Sequence, residues 1–76
     1  MNNYEDHRDT YTYIMRSMRE SRHLTQTDIA DVLGTSQTMY ARYERGANRL
    51  PIRHLIQLSR YYQTSTDYLL GLRQDP

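Results

Sequence analysis

The stretch Leu24-Thr25-Gln26-Thr27-Asp28-Ile29, closed by Gly34 and followed at once by Ser36, constrains this chain more than any other feature. Thr25 suits a helix N-cap, because its hydroxyl can take a backbone N–H that the first helical turn leaves without a partner. Asp28 stands at N3, where its carboxylate can reach back to the Thr25 amide, and Leu24 and Ile29 occupy the positions of a hydrophobic staple. Ile29, Ala30 and Leu33 then face inward, and Gly34 is the expected left-handed stop. Ser36 caps a further helix, which runs to about Arg45 and ends at Gly46. The middle of the chain is therefore committed to two short helices joined by a very short link.

The flanks carry the same period. Tyr11, Ile14, Met15 and Met18 recur at i, i+3, i+4 and i+7, which predicts an amphipathic helix from about Thr10 to about Ser21. Residues 1–9 are polar, acidic and aperiodic, and read as a flexible arm. Pro51 fits N1 of a fourth helix that carries Ile52, Leu55, Ile56 and Leu58 on one side and reaches about Tyr62. Ser65 or Thr66 can cap a last short helix through Tyr68, Leu69 and Leu70 to Gly71, leaving residues 73–76 as a short tail. No strand-like alternation appears. The expected fold is all-α, five helices in one domain over residues 10–72.

A chain of 76 residues buries only about 60% of the surface its unfolded form exposes, so its core must be small. With no cysteine, neither a disulfide nor a cysteine-based zinc site can staple it. No apolar run exceeds three residues, which excludes a membrane span and a signal-peptide core. The chain is expected to be soluble and cytoplasmic. His7, His23 and His54 show no ligand spacing, and no carboxylate pair or nucleophile–base set accompanies them. HExxH, GxGxxG and P-loop patterns are all absent, so no enzymatic activity, metal or cofactor is expected.

Charge narrows the class of partner. The net charge is −2 over residues 1–10, +4 over residues 11–60 and −1 over residues 61–76. All ten basic residues are arginines, which pair bidentately with phosphate, carboxylate and guanine edges; biased genome composition produces the same usage. Two helices joined by a glycine-containing link describe a helix-turn-helix, a spacing that many helical hairpins share. The second helix adds the distinguishing content: Ser36, Gln37, Thr38, Arg42 and Arg45, with little apolar material to justify burial. An amide, a hydroxyl and a guanidinium near a helix N-terminus are groups that read base edges in a major groove, and the terminus itself favours phosphate.

The run Leu24-Thr25-Gln26, Ile29-Ala30, Leu33-Gly34-Thr35-Ser36-Gln37 and Tyr43-Glu44-Arg45-Gly46 resembles the Cro/lambda-repressor-like helix-turn-helix family, also called the xenobiotic-response-element type. The resemblance continues through Pro51, Leu55 and Leu58 to Ser65-Thr66-Asp67-Tyr68-Leu69-Leu70-Gly71, and covers Tyr11 to Leu72. It implies that Gln37, Thr38 and Arg42 read bases, with Met39 open between a thymine methyl and packing. It places Gln26 on a phosphate and against the recognition helix, and puts Thr25, Ser36, Tyr43, Arg45, Asn48 and Arg49 along the DNA backbone. It makes Ala30 the small residue where the two helices pack closely, and pairs Arg19 with Glu44 as a structural ion pair. His23 stands where the family often has glycine, and reads as a helix C-terminal residue. Tyr40 departs from the pattern: it replaces the usual Ile or Val of the core, and its hydroxyl needs a partner.

The resemblance implies a sequence-specific double-stranded DNA-binding transcriptional regulator, most often a repressor, of bacterial or phage origin and nucleoid-associated. Two other roles fit the same domain: an antitoxin that regulates its own operon, and a protein-interaction module that has lost DNA binding. One recognition helix covers too few base pairs to specify a site in a genome, so a homodimer on a palindromic operator is expected. Its contact falls on Tyr68, Leu69, Leu70 and Leu72 at the C-terminal end. No ligand-sensing domain is expected, which leaves control to concentration, dimerisation or a protein partner.

Overall fold

The computed structural model describes residues 8–75, with side chains from Thr10 to Asp75. It contains α1 (Arg8–Ser21), α2 (Gln26–Leu33), α3 (Gln37–Glu44), α4 (Ile52–Tyr62) and α5 (Thr66–Leu69), and no strand among the described residues. The acidic arm expected over residues 1–9 falls outside the described residues up to residue 7; Arg8 and Asp9 already belong to α1.

The local signals operate as chemistry requires. Thr25 Oγ1 accepts from the Asp28 amide at 3.0 Å while the Thr25 amide donates to Asp28 Oδ2 at 2.8 Å, a complete capping box. Gly34 takes φ +70°, a left-handed conformation that costs an L side chain, and its amide closes α2 onto Ala30 and Asp31. Ser36 and Ser65 cap α3 and α5 through the amides of Met39 and Tyr68. His23 sits at φ +58° just past α1, which explains why a glycine suits that position.

The core collects Met15 and Met18 from α1, Ile29, Ala30 and Leu33 from α2, Tyr40 and Tyr43 from α3, Leu58 and Tyr62 from α4, and Leu69 from α5. Helix α3 packs against both α1 and α2, and α4 joins α2 to α5. α5 closes the domain back onto α1, where Gly71, at φ +80°, lies so close to Thr10 that a Cβ there would collide with its methyl.

Four expectations need correction. Pro51 is the N-cap of α4 rather than N1, because its ψ of 149° is extended while its carbonyl already accepts from His54 and Leu55. Ile52 and Ile56 face solvent, at 75% and 40% exposure. The buried row of α4 is His54, Leu58 and Tyr62, spaced by four; a residue two places off such a row points about 200° away. His54 tolerates burial because Nδ1 lies 2.8 Å from Gln57 Oε1 and its ring stands 5.7 Å from Tyr43. Leu69, expected at a dimer contact, is completely buried, since it is the residue that anchors the four-residue α5 to the core. Tyr43, expected along the DNA backbone, is a core residue at 6% exposure, packed against His54.

Candidate nucleic-acid interface

Helix α3 divides cleanly into two sides. Tyr40, Tyr43 and Glu44 face inward, so its inner face holds far more apolar material than its composition indicated. Gln37 and Thr38 are exposed at its start and Arg42 is half-buried one turn on. Arg42 lies four positions from Thr38, on the same row of the helix, and Gln37 stands about 100° round from Thr38.

The inner side is organised around one buried carboxylate. Glu44 Oε2 accepts from Arg19 Nε at 2.7 Å and from the Tyr40 hydroxyl at 2.6 Å. Glu44 Oε1 accepts from Arg19 Nη2 at 3.1 Å and from Gln26 Nε2 at 3.2 Å. A carboxylate offers about four acceptor sites, and here each has a donor. Arg19 also donates through Nη1 to the Leu24 carbonyl at 2.9 Å, tying the end of α1 to the entry of α2. Burial by itself pushes the Glu44 carboxyl up, but the bonds from Arg19, Tyr40 and Gln26 together outweigh it and hold it below its ordinary value. The Tyr40 phenol is held well above the ordinary range, by burial first and by its bond to Glu44 second, so it remains a donor.

From the carboxylate the network runs outward. Gln26, at the first turn of α2, accepts through Oε1 from Gln37 Nε2 at 2.8 Å. One hydrogen-bonded path therefore links Arg19 on α1 to the exposed amide of Gln37 on α3. Arg42 donates through Nε to Asn48 Oδ1 at 2.8 Å, and its two terminal nitrogens bond nothing among the described residues. Those nitrogens form the two-donor edge that suits guanine O6 and N7. Asn48 Nδ2 also lies 3.8 Å from Met39 Sδ, and Met39 packs half-buried against the core.

The remaining positions fall as follows. Arg45 and Arg49 are exposed beside the end of α3, and Arg53 is exposed on α4. Thr25 and Ser36 are exposed, and each hydroxyl accepts a cap bond while keeping its own proton to donate. Tyr68 and Leu70 are half-buried, and Leu72 is 60% exposed. Contacts that sequence reasoning missed include Tyr40 with Glu44, Gln26 with Glu44, and Arg42 with Asn48. The four-residue spacing of Tyr40 and Glu44 on one helix was a signal for the first.

The depressed Glu44 value makes stability depend on pH with a definite sign. A carboxylate more acidic in the folded state contributes stability that is complete above its unfolded value and lost as pH falls through the folded one. The gap in melting temperature between wild type and Glu44→Gln is therefore expected to be flat above the ordinary value of 4.5 and to narrow below it. A gap that stays constant down to acid unfolding would show that folding does not perturb Glu44.

No helix among the described residues is long and apolar enough to cross a membrane, and no group of three His, Asp or Glu side chains there could hold a metal. The chain is 35% identical over 66 residues to YobD of Bacillus subtilis (strain 168), named an uncharacterized HTH-type transcriptional regulator; the match covers 87% of this chain and 59% of YobD. It is 36% identical over 56 residues to YqaE of the same organism, which carries the same description, over 74% of this chain and 48% of YqaE. The chain thus spans about half to three-fifths of the length of these relatives. Its fold is similar to the crystal structure of a transcriptional regulator from Listeria innocua, with a TM-score of 0.79 at 26% identity, over 87% of this chain and 62% of that one. The helix-turn-helix family model matches residues 15–69, from the α1 core methionine to the α5 anchor. With α2 and α3 capped and joined through Gly34 inside that span, the chain belongs to the Cro/C1-type helix-turn-helix family.

Proposed function

We propose that the chain is a sequence-specific double-stranded DNA-binding transcriptional regulator that lays α3 in the major groove and α2 across the backbone. The observation that carries this reading is the exposed Gln37 amide, held by Gln26 at 2.8 Å rather than left to rotate freely in solvent. Pre-orienting a polar side chain at an exposed helix start does little for folding, but lowers the ordering cost of binding. Arg45 at the far end of α3, Arg49 in the loop after it and Arg53 on α4 supply exposed positive charge, as phosphate contacts require. The names borne by the relatives agree with this role. Repression is its simplest form, since a domain seated on an operator blocks what else must bind there. Such a protein works where the chromosome is, in the cytoplasm.

Two copies on a palindromic operator, with half-sites about 34–36 Å apart, complete the reading. Leu72, with the half-buried Tyr68 and Leu70, gives the C-terminal end apolar surface for that contact; Leu69, completely buried, gives none.

The test begins with duplexes selected from a random pool by the wild-type protein. Gln37 suits adenine, through one acceptor and one donor side by side. Gln37→Ala is expected to weaken the selected duplex by about 1–3 kcal/mol and relax the preference at one base pair. Equal losses on selected and random duplexes, measured by mobility shift, would mean that Gln37 reads no base.

A further inference from the structure

We propose that Tyr40 is a positioning residue for base recognition: with Arg19 it fills Glu44 Oε2, and Glu44 thereby fixes which way round the amides of Gln26 and Gln37 stand. The inference rests on the DNA-binding reading and deepens it. Carboxylates and amides differ in hydrogen-bond chemistry. An ionised carboxylate accepts and never donates, whereas a glutamine amide has a donor end and an acceptor end that swap on rotation. Gln26 must therefore turn its NH2 to Glu44 Oε1, 3.2 Å away. Its oxygen then faces α3, where Gln37 meets it with NH2 at 2.8 Å. Reversing Gln37 would set two amide oxygens against each other, and reversing Gln26 would set an oxygen against the carboxylate. Gln37 is left with its oxygen and one remaining N–H directed away from Gln26, in a fixed order.

That order decides which base edge matches. Adenine presents N6–H as donor and N7 as acceptor, so acceptor and donor on Gln37 must lie in the matching sense. The relay holds only while Glu44 is ionised and does not turn. Arg19 grips both oxygens, and Tyr40, completely buried on the same helix, supplies the remaining donor on Oε2 at 2.6 Å. Without that hydroxyl, Oε2 is left short of a donor inside the protein. A carboxylate in that state turns toward another donor or takes up a proton, and a protonated Glu44 accepts either end of Gln26.

Tyr40→Phe keeps the ring that fills the core and removes only this donor. Tyr62→Phe is the control, because it also removes a buried hydroxyl, one without a hydrogen-bond partner among the described residues. The first readout uses the free proteins: the side-chain amide NMR signals of Gln26 and Gln37 are expected to move in Tyr40→Phe and to stay in place in Tyr62→Phe. The second uses the selected duplex against versions altered at the pair whose preference Gln37→Ala relaxes. The wild-type preference there is expected to be about tenfold or more, and Tyr40→Phe is expected to lose most of it while binding random duplex as wild type does. Gln26→Met, on the partly exposed start of α2, breaks the same relay and gives the same loss of preference should Tyr40→Phe fold poorly. Unchanged amide signals and an unchanged preference in Tyr40→Phe would overturn the proposal, as would a full preference in Gln26→Met. If the wild type selects no sequence at all, it is the DNA-binding reading that fails, and the amide signals still judge the relay.

Discussion

Glu44→Ala is expected to lower the melting temperature by about 15 °C or more. Removing one member of a buried ion pair typically costs about 3–5 kcal/mol, because the partner charge stays behind without compensation. Here the partner is Arg19, whose side chain is only 13% exposed, and the loss also strands the buried Tyr40 hydroxyl. Domains carry about 0.05–0.15 kcal/mol of stability per residue, so 76 residues hold roughly 4–11 kcal/mol in all. At about 4–8 °C per kcal/mol for a chain of this size, the change removes a large part of the total. Circular dichroism melts of the two proteins measure it directly. A shift of only a few degrees would mean that water reaches Arg19 and screens it.

Leu69→Ala is the second large loss, at about 2–5 kcal/mol. Leu69 is completely buried and is the only residue of α5 that is, so its side chain fastens α5 to the rest of the domain. Leu72→Asp, three residues on at a 60% exposed position, is expected to leave stability within about 0.5 kcal/mol and instead to reduce paired occupancy of two half-sites. The contrast separates a core anchor from a contact surface. Similar melts for the two variants, or a loss of pairing in neither, would show that the C-terminal end has been divided wrongly.

The caps and stops of this fold could be read directly from the chain. Thr25 with Asp28, Ser36, Ser65 and Gly34 satisfy backbone groups within a few residues of themselves, so sequence spacing alone decides them. The α1 face could be read for a related reason: Met15 and Met18 are buried and Tyr11 and Ile14 pack beside them, in a period that only a helix satisfies. Helix α4 could not, because its apolar residues occupy both sides. Ile52, Leu55, Ile56 and Leu58 suggest one face by composition, while the packing against α2 and α5 selects the row His54, Leu58, Tyr62. Which side of such a helix is covered depends on where its neighbours arrive.

The candidate site divides in the same way. The exposure of Gln37 and Thr38 was legible because polar residues at an α3 start have few structural uses, and the ion pair of Arg19 with Glu44 came with the family resemblance. The resemblance also set Gln26 against the recognition helix, but the bonds that join these residues into one network were not legible. Tyr40, a departure from the family pattern, found its hydroxyl partner four residues away on its own helix, while Gln26 met Glu44 across eighteen positions and Gln37 across eleven. The sequence by itself determined the five helices, the caps and stop of α2 and α3 and the polar character of the α3 start, since those depend on short-range bonding and helical period. Only the tertiary structure decided that one carboxylate joins α1, α2 and α3 and aims an exposed glutamine, because hydrogen bonds between side chains on different helices depend on how those helices pack.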